Sequence, residues 1–177
     1  MKVAGVIFRA ETSKRKEKNR QLEKVNGKTL LENTLDALSD AGVNEQVVVL
    51  GDDMAEVIEA IRPKLGKIKI TLNVSPEKGL PSSIQAGIIV LSNVDAVFFS
   101  SGDQNTPNST VLKEMVNTME KNSEAAIISP ANKEKTGEPL LFRKTLLTEL
   151  MSLRDNQTLA DVVKAHSDKL FTVQTTN

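Results

Sequence analysis

The sequence predicts a single three-layer α/β domain with a mostly parallel central sheet. Short apolar runs alternate with segments of helical periodicity, and most of the loops between them are short. This alternation favours parallel strands joined by right-handed crossovers. The predicted strands are apolar throughout, which is typical of a sheet covered by helices on both faces. We find no linker or internal repeat, so we predict one domain over residues 1–177.

The periodicity of each segment predicts the individual elements. Leucines recur at helical spacing between residues 29 and 41, and Gly42 ends that helix. Residues 9–26 are polar and heavily charged, which indicates a loop with room for a short helix. Either Thr106 or Asn108 is expected to cap the helix predicted over 109–121. Strands are predicted over 3–8, 46–50, 68–72, 96–99, 125–129, 140–142 and 170–173, and helices over 29–41, 53–65, 79–91, 109–121, 143–153 and 159–165.

The composition excludes several classes of function. Lys plus Arg and Asp plus Glu both number 23, so the net charge is zero and no bulk attraction to nucleic acid or a membrane surface is expected. The chain has no cysteine, which excludes thiol catalysis, and its one histidine, His166, excludes a metal site built from a histidine cluster. Any metal would be a hard cation on carboxylates, Mg²⁺ above all. Because no apolar stretch is long enough to span a membrane, we expect a cytoplasmic protein. We expect the protein to be a monomer or a homodimer.

Three segments follow predicted strands and therefore can meet at one edge of the sheet. The first, 9–28, carries many basic side chains that could bind phosphates, although interleaved glutamates also fit a solvated loop. The second, 79–87, places small hydroxyl residues at a helix start, where they could hold a polar ligand or simply cap the helix. The third, 100–104, ends a strand in Gly-Asp, where Asp103 could bind a cation or serve only as a turn residue.

Together these segments resemble the MobA-like NTP transferase family, and most of all its molybdenum cofactor cytidylyltransferase branch. Residues 8–20 align without a gap with the family's L-A-A-G-x-S-x-R-M-G-x-x-K. Ala10, Ser13 and Arg15 match it, and Arg20 takes the place of the final Lys. Residues 79–87 read G-L-P-S-S-I-Q-A-G against G-L-S-S-S-L-R-A-G, and residues 102–104 read G-D-Q. Residues 137–142 resemble G-H-P-V-L-F, with Glu138 in place of the family's His.

The resemblance implies a Rossmann-like nucleotide-diphospho-sugar transferase fold with three α/β/α layers. It also implies transfer of a nucleotide from an NTP, CTP being favoured, to a phosphorylated acceptor such as molybdopterin, with release of pyrophosphate. Asp103 would hold Mg²⁺, and Arg15 and Arg20 would stabilise charge on the triphosphate. The implied binding residues are Ala10, Ser13, Asn73, Gly79, Ser82, Ser83, Gln104 and Gly137.

Two glutamates set this chain apart from the family's phosphate loop. Glu11 and Glu17 occupy positions where the family has glycines, which let a backbone approach phosphate closely. Two alternatives to a working transferase therefore stay open. One is a catalytically degenerate member that acts as a nucleotide-binding, cofactor-binding or partner protein. The other is an unrelated α/β domain that binds a sugar nucleotide or a phosphosugar.

Overall fold

Ten strands and six α-helices make up the described part of the chain, residues 1–9, 19–132 and 135–175 of a computed structural model. The strands are β1 (Val3–Ile7), β2 (Lys24–Val25), β3 (Lys28–Thr29), β4 (Glu45–Leu50), β5 (Lys69–Leu72), β6 (Ala96–Ser100), β7 (Ile127–Asn132), β8 (Lys135–Thr136), β9 (Leu140–Arg143) and β10 (Leu170–Gln174). The helices are α1 (Leu30–Asp40), α2 (Met54–Ala60), α3 (Leu80–Ile89), α4 (Ser109–Lys121), α5 (Leu147–Met151) and α6 (Leu159–Ala165).

The central sheet has the strand order β10-β7-β9-β6-β1-β4-β5, with the short β8 paired to β7. β1 pairs in parallel with both β4 and β6, and β4 pairs in parallel with β5. β9 runs antiparallel to its neighbours β6 and β7. The prediction of an α/β fold with a mostly parallel sheet is therefore confirmed.

Two hydrophobic cores cover the two faces of the sheet. One contains the buried side chains of α1, α2 and α4, and the other those of α3, α5 and α6. Strands β1 and β6 are buried along their whole length, which explains why their sequences show no polar alternation. No helix in the described residues is long and apolar enough to cross a membrane.

Several element boundaries differ from the predictions. The helix predicted over 53–65 is α-helical only to Ala60 and continues as a 3₁₀ turn, Arg62–Lys64. Pro63 lies in that turn, and proline lacks the N–H that an α-helix would need there. Asn108 caps α4, with its side chain accepting the Val111 N–H at 3.1 Å. The helix predicted over 143–153 begins as a 3₁₀ turn, and its α-helical part is α5.

A two-stranded hairpin, β2 with β3, was missing from the prediction. Asn26 and Gly27 connect the strands with φ angles of 53° and 83°. Asn-Gly with two positive φ angles is the sequence preferred in tight hairpin turns. Thr29 then caps α1, where its hydroxyl and the Glu32 carboxylate each accept the other's backbone N–H. The hairpin thus lies at the end of segment 9–28 and leads directly into the first helix.

Glu45, at the start of β4, links the edge of the sheet to the end of α3. Its carboxylate accepts a hydrogen bond from Lys69 Nζ at 2.6 Å and from the Ser92 backbone N–H at 3.0 Å. Burial raises the pKa of Glu45, but these partners outweigh burial and hold the pKa below its ordinary value. A lowered folded-state pKa contributes stability above the unfolded-state pKa, and the contribution is lost as the pH falls through the folded-state pKa.

We expect Glu45→Gln to lower the free energy of unfolding by about 1 to 2 kcal/mol at pH 7, because hydrogen bonds to a charged group contribute about that much. The difference from the wild type should shrink as the pH falls below the ordinary glutamate pKa and through the lowered folded-state pKa, because the wild-type carboxylate becomes protonated over that range. Urea unfolding at pH 7 and pH 3.5 measures both values. Glu124→Gln, at an exposed position, is the control. A deficit for Glu45→Gln that is the same at both pH values would contradict the assignment.

Candidate functional site

Polar segments from five strands meet at one edge of the sheet. β1, β4, β5 and β6 are parallel, so their carboxyl ends share this edge, and the antiparallel β9 begins there. The segments 79–87 and 100–104, together with Asn73 and Gly137, therefore lie along the same edge. Segment 9–28 is described only at residue 9 and over 19–28. The predicted site residues Ala10, Ser13 and Arg15 lie outside the described residues.

The turn after β6 carries Asp103. Gly102 precedes it with a φ of 64°, and a Cβ there would lie 2.7 Å from Ile7 Cγ2. Both the backbone conformation and the lack of space favour glycine at this position. The Ser100 hydroxyl accepts the Gly102 N–H at 3.2 Å. The turn therefore fixes the direction in which the chain leaves β6 and leaves Asp103 partly exposed at the sheet edge.

Ser101 contacts two carboxylates. Its Oγ lies 2.5 Å from Asp103 Oδ1 and 2.7 Å from Glu138 Oε2. The Ser101 backbone N–H donates to the same Glu138 oxygen at 2.8 Å. Glu138 was not among the predicted site residues, although its neighbour Gly137 was. The pairing of β9 with β6 brings Glu138 to the turn after β6, and its position beside Gly137 was the available signal in the sequence.

Asn73 and the start of α3 form a second polar cluster. Asn73 Nδ2 donates to Ser82 Oγ at 2.8 Å and to Ser83 Oγ at 2.9 Å, while its Oδ1 accepts the Ser75 N–H at 3.0 Å. Ser82 Oγ donates to the Gly79 carbonyl at 2.7 Å. The structure thus brings together four predicted binding residues, and the amide of Asn73 orients both hydroxyls. Asn73 and Ser82 also line a cavity of about 340 Å³.

Asp53 contacts two residues of the charged stretch that follows β1, Arg9 and Asn19. Arg9 Nη1 lies 3.2 Å from Asp53 Oδ2, and Asn19 Nδ2 donates to the same oxygen. Asp53 thus contacts the described residues on either side of 10–18, next to the carboxyl end of β4. Sequence reasoning placed Asp53 only in a predicted helix and did not assign it to the site.

Gln21 binds the ends of two neighbouring strands at the edge of the sheet. Its Nε2 donates to the carbonyls of Phe8 at 2.9 Å and Ser101 at 2.6 Å, so it joins the ends of β1 and β6. Arg20, the predicted catalytic residue next to it, has a side chain that is 61% exposed and lies 4.0 Å from Glu23. Arg20 is therefore accessible to a ligand, and its ion pair with Glu23 is long.

A larger cleft opens beside Gln104, the residue after Asp103, and Glu138. It has a volume of about 590 Å³ and is bounded by α6 and by the start of β9. Predicted residues Gln104 and Gly137 line it, together with Glu138. Lys164 supplies a positive charge, and the rest of its lining is largely apolar: Phe8, Leu80, Leu140, Leu159, Val163 and Leu170. The cleft thus joins an apolar wall to Glu138, one of the two carboxylates that contact Ser101.

The donors at this edge suit a hard divalent cation that also binds substrate. Asp103 and Glu138 offer carboxylate oxygens, which Mg²⁺ and Mn²⁺ prefer. Within residues 1–9, 19–132 and 135–175, no three His, Cys, Asp or Glu side chains converge on one point. A cation here would therefore need further oxygen ligands from substrate phosphates or water, which is the usual situation for Mg²⁺.

This arrangement defines an α/β protein whose candidate ligand site lies at the carboxyl edge of its sheet. The chain belongs to the family of the MobA-like NTP transferase domain, whose sequence profile matches residues 5–170. The family indicated by the motifs is therefore confirmed. No curated protein sequence matches the chain at a significant level.

Solved structures show the same fold. Rv0371c from Mycobacterium tuberculosis H37Rv superposes with a TM-score of 0.82 at 19% identity, over 98% of this chain and 87% of that one. A nucleotidyl transferase from Methanothermobacter, Mth528, gives 0.81 at 22% identity, over 99% and 88%. The 4-diphosphocytidyl-2C-methyl-D-erythritol synthase from Anaerococcus prevotii gives 0.75 at 15% identity, over 99% and 87%. Rv0371c has also been solved in complex with manganese.

Proposed function

We propose that this protein is a nucleotidyltransferase that transfers a nucleotide from CTP to a phosphorylated small molecule. The observation that carries the proposal is the position of Asp103 at the sheet edge, where the large cleft adjoins it and the Asn73 cluster lies along the same edge. β5 and β6 are three strand spacings apart, about 14 Å at the usual distance between neighbouring strands. That span is comparable with the length of an extended nucleoside triphosphate.

The roles of the residues follow from their positions and from the family. Asn73, Ser82 and Ser83 would contact the base or ribose, Asp103 would hold Mg²⁺, and Gln104 and Gly137 would face the acceptor. A bound divalent cation neutralises charge on the phosphates and polarises them for displacement. The acceptor oxygen attacks the α-phosphorus, the bond to the α–β bridging oxygen breaks, and pyrophosphate leaves. Arg15 and Arg20 would stabilise the charge that develops on that leaving group.

Three observations support CTP as the nucleotide donor and a cofactor-like molecule as the acceptor. The motifs at 79–87 and 102–104 resemble those of the molybdenum cofactor cytidylyltransferase branch. The names of two structural neighbours refer to cytidine nucleotides: the 4-diphosphocytidyl-2C-methyl-D-erythritol synthase from Anaerococcus prevotii, and a CMP:2-keto-3-deoxy-manno-octonic acid synthetase complexed with CTP. The apolar wall of the large cleft suits an acceptor with a flat or aliphatic body, as molybdopterin has.

A second candidate is a family member that binds nucleotide without turning it over. Glu11 and Glu17, in place of glycines, support it. A carboxylate 4 Å from a phosphate charge costs about 1 kcal/mol even in bulk water, and more where the dielectric constant is lower. Basic residues in the same segment would offset part of this repulsion.

Pyrophosphate release distinguishes these candidates. With CTP, Mg²⁺ and molybdopterin, we expect release that depends on the acceptor, and less release when GTP replaces CTP. A coupled phosphatase assay measures it, and mass spectrometry identifies the cytidylylated product. If CTP binds and none of molybdopterin, sugar phosphates or polyol phosphates elicits release, the second candidate is correct. Release without any acceptor would indicate a hydrolase and contradict both candidates.

A further inference from the structure

The hydroxyl group of Ser101 cannot satisfy both of its carboxylate neighbours. A serine hydroxyl has a single hydrogen, so it donates to one acceptor at a time. Asp103 Oδ1 at 2.5 Å and Glu138 Oε2 at 2.7 Å are both within donating distance. When the hydrogen points at one carboxylate, the lone pairs of Oγ face the other. Ser101 is 3% exposed, so bulk water does little to relieve this contact.

Glu138 is held in this position independently of the hydroxyl. The Ser101 backbone N–H donates to the same Glu138 oxygen at 2.8 Å, so Glu138 stays in place whichever way the hydroxyl hydrogen points. Asp103 is attached to the hydroxyl by its Oδ1 and is partly exposed at the edge of the sheet. The competition for the hydrogen is therefore between a fixed carboxylate and one that is partly exposed at the edge of the sheet.

We propose that Glu138 is a positioning residue that acts through Ser101 on the cation-binding carboxylate of Asp103. When a divalent cation occupies Asp103, the Ser101 hydroxyl turns its hydrogen to Glu138, and Asp103 Oδ1 is left fully available to the cation. Without the Glu138 charge, the hydrogen stays on Asp103 and competes with the cation for that oxygen. The inference rests on the proposed function, because it requires Asp103 to bind a divalent cation.

Glu138→Gln isolates the role of the charge. The amide oxygen still accepts the Ser101 N–H, so the local geometry is retained. It is a weaker acceptor than a carboxylate, so the Ser101 hydrogen goes to Asp103. We expect the affinity for Mn²⁺ to fall about tenfold, the lower end of what a hydrogen bond to a charged group contributes. Part of this loss would come from the missing charge acting directly on the cation.

A double-mutant cycle separates the two contributions. Mn²⁺ is titrated into the wild type, Glu138→Gln, Ser101→Ala and the double variant, and the free ion is measured by electron paramagnetic resonance. In the Ser101→Ala background, Glu138→Gln should weaken Mn²⁺ binding clearly less than in the wild type, because only the direct Coulomb interaction between Glu138 and the cation remains. Asp103→Ala serves as the variant without the site, Glu124→Gln as the control, and thermal melts confirm that each variant folds.

The outcomes distinguish this inference from the proposed function. Equal effects of Glu138→Gln in both backgrounds would show that Glu138 acts by charge alone, and would overturn the inference. No effect of Glu138→Gln beyond that of Glu124→Gln would overturn it as well. Either result leaves the proposed function intact, provided that Asp103→Ala abolishes Mn²⁺ binding. A wild type that binds no Mn²⁺, or binds it as well after Asp103→Ala, would overturn both.

Discussion

Asp103→Asn should lower kcat/KM for nucleotidyl transfer by about 10³-fold, because a metal ion supplies several kcal/mol of transition-state stabilisation and each 1.36 kcal/mol is a factor of ten in rate. The asparagine keeps an Oδ1 that accepts the Ser101 hydroxyl, so the turn after β6 should be preserved. What is removed is the negative charge that holds the cation. The pyrophosphate-release assay with CTP and a phosphorylated acceptor measures the effect.

The matched control is Asp155→Asn, which removes a carboxylate from an exposed position in the loop between α5 and α6. It should retain wild-type activity. An Asp103→Asn protein that stays within tenfold of the wild type would show that another carboxylate holds the cation. Glu138, the second carboxylate at Ser101, would then be the first residue to examine.

Gly87→Ala should lower the free energy of unfolding by about 1 to 3 kcal/mol, the usual cost of overpacking a well-packed core. Gly87 lies in α3 where the helix crosses the sheet, and a Cβ there would be 2.3 Å from Val6 Cγ1 and 3.3 Å from Val49 Cγ2. Val6 is fully buried and cannot move aside. The helix must shift away from the sheet, and this clash outweighs the roughly 1 kcal/mol by which alanine favours a helix over glycine.

The consequence extends to the site, because Ser82 and Ser83 lie on the same helix. Gly87→Ala should therefore also weaken CTP binding, as measured by calorimetry on the folded protein. Gly66→Ala is the control, since a Cβ at Gly66 would meet no atom within 4 Å. Val6→Ala combined with Gly87→Ala should be less destabilised than the sum of the two single variants. Additive losses in urea unfolding would contradict the packing explanation.

The sequence predicted the fold well wherever the pattern was local. Apolar runs such as residues 96–99 are buried strands, and leucines at helical spacing form the buried face of α1. The direction of β9 was not predictable, because a short apolar run carries no information about its partner. The β2–β3 hairpin carried a usable signal in Asn26-Gly27, but residues 9–26 were interpreted only as a loop with room for a short helix.

The candidate site was predicted in part. Asn73, Ser82 and Ser83 were expected at one site because the family motif links them, and their side chains do contact one another. Glu138 and Gln21 were missed because their roles depend on long-range contacts. Glu138 and Ser101 are 37 residues apart in the sequence, and the pairing of β9 with β6 brings them into contact. Hydrogen bonds of this kind leave no periodic trace in a single sequence.

The central claim is that Asp103 holds a divalent cation on the phosphates of a bound nucleotide. Isothermal titration of CTP into the protein with Mg²⁺, with a chelator instead of Mg²⁺, and into Asp103→Ala with Mg²⁺ tests it most directly. We expect binding to the wild type with Mg²⁺, with weaker heats for GTP, and loss of binding in the other two titrations. CTP binding that is equally tight without Mg²⁺ or without the Asp103 carboxylate would contradict the claim, as would the absence of heat for any NTP at millimolar concentration.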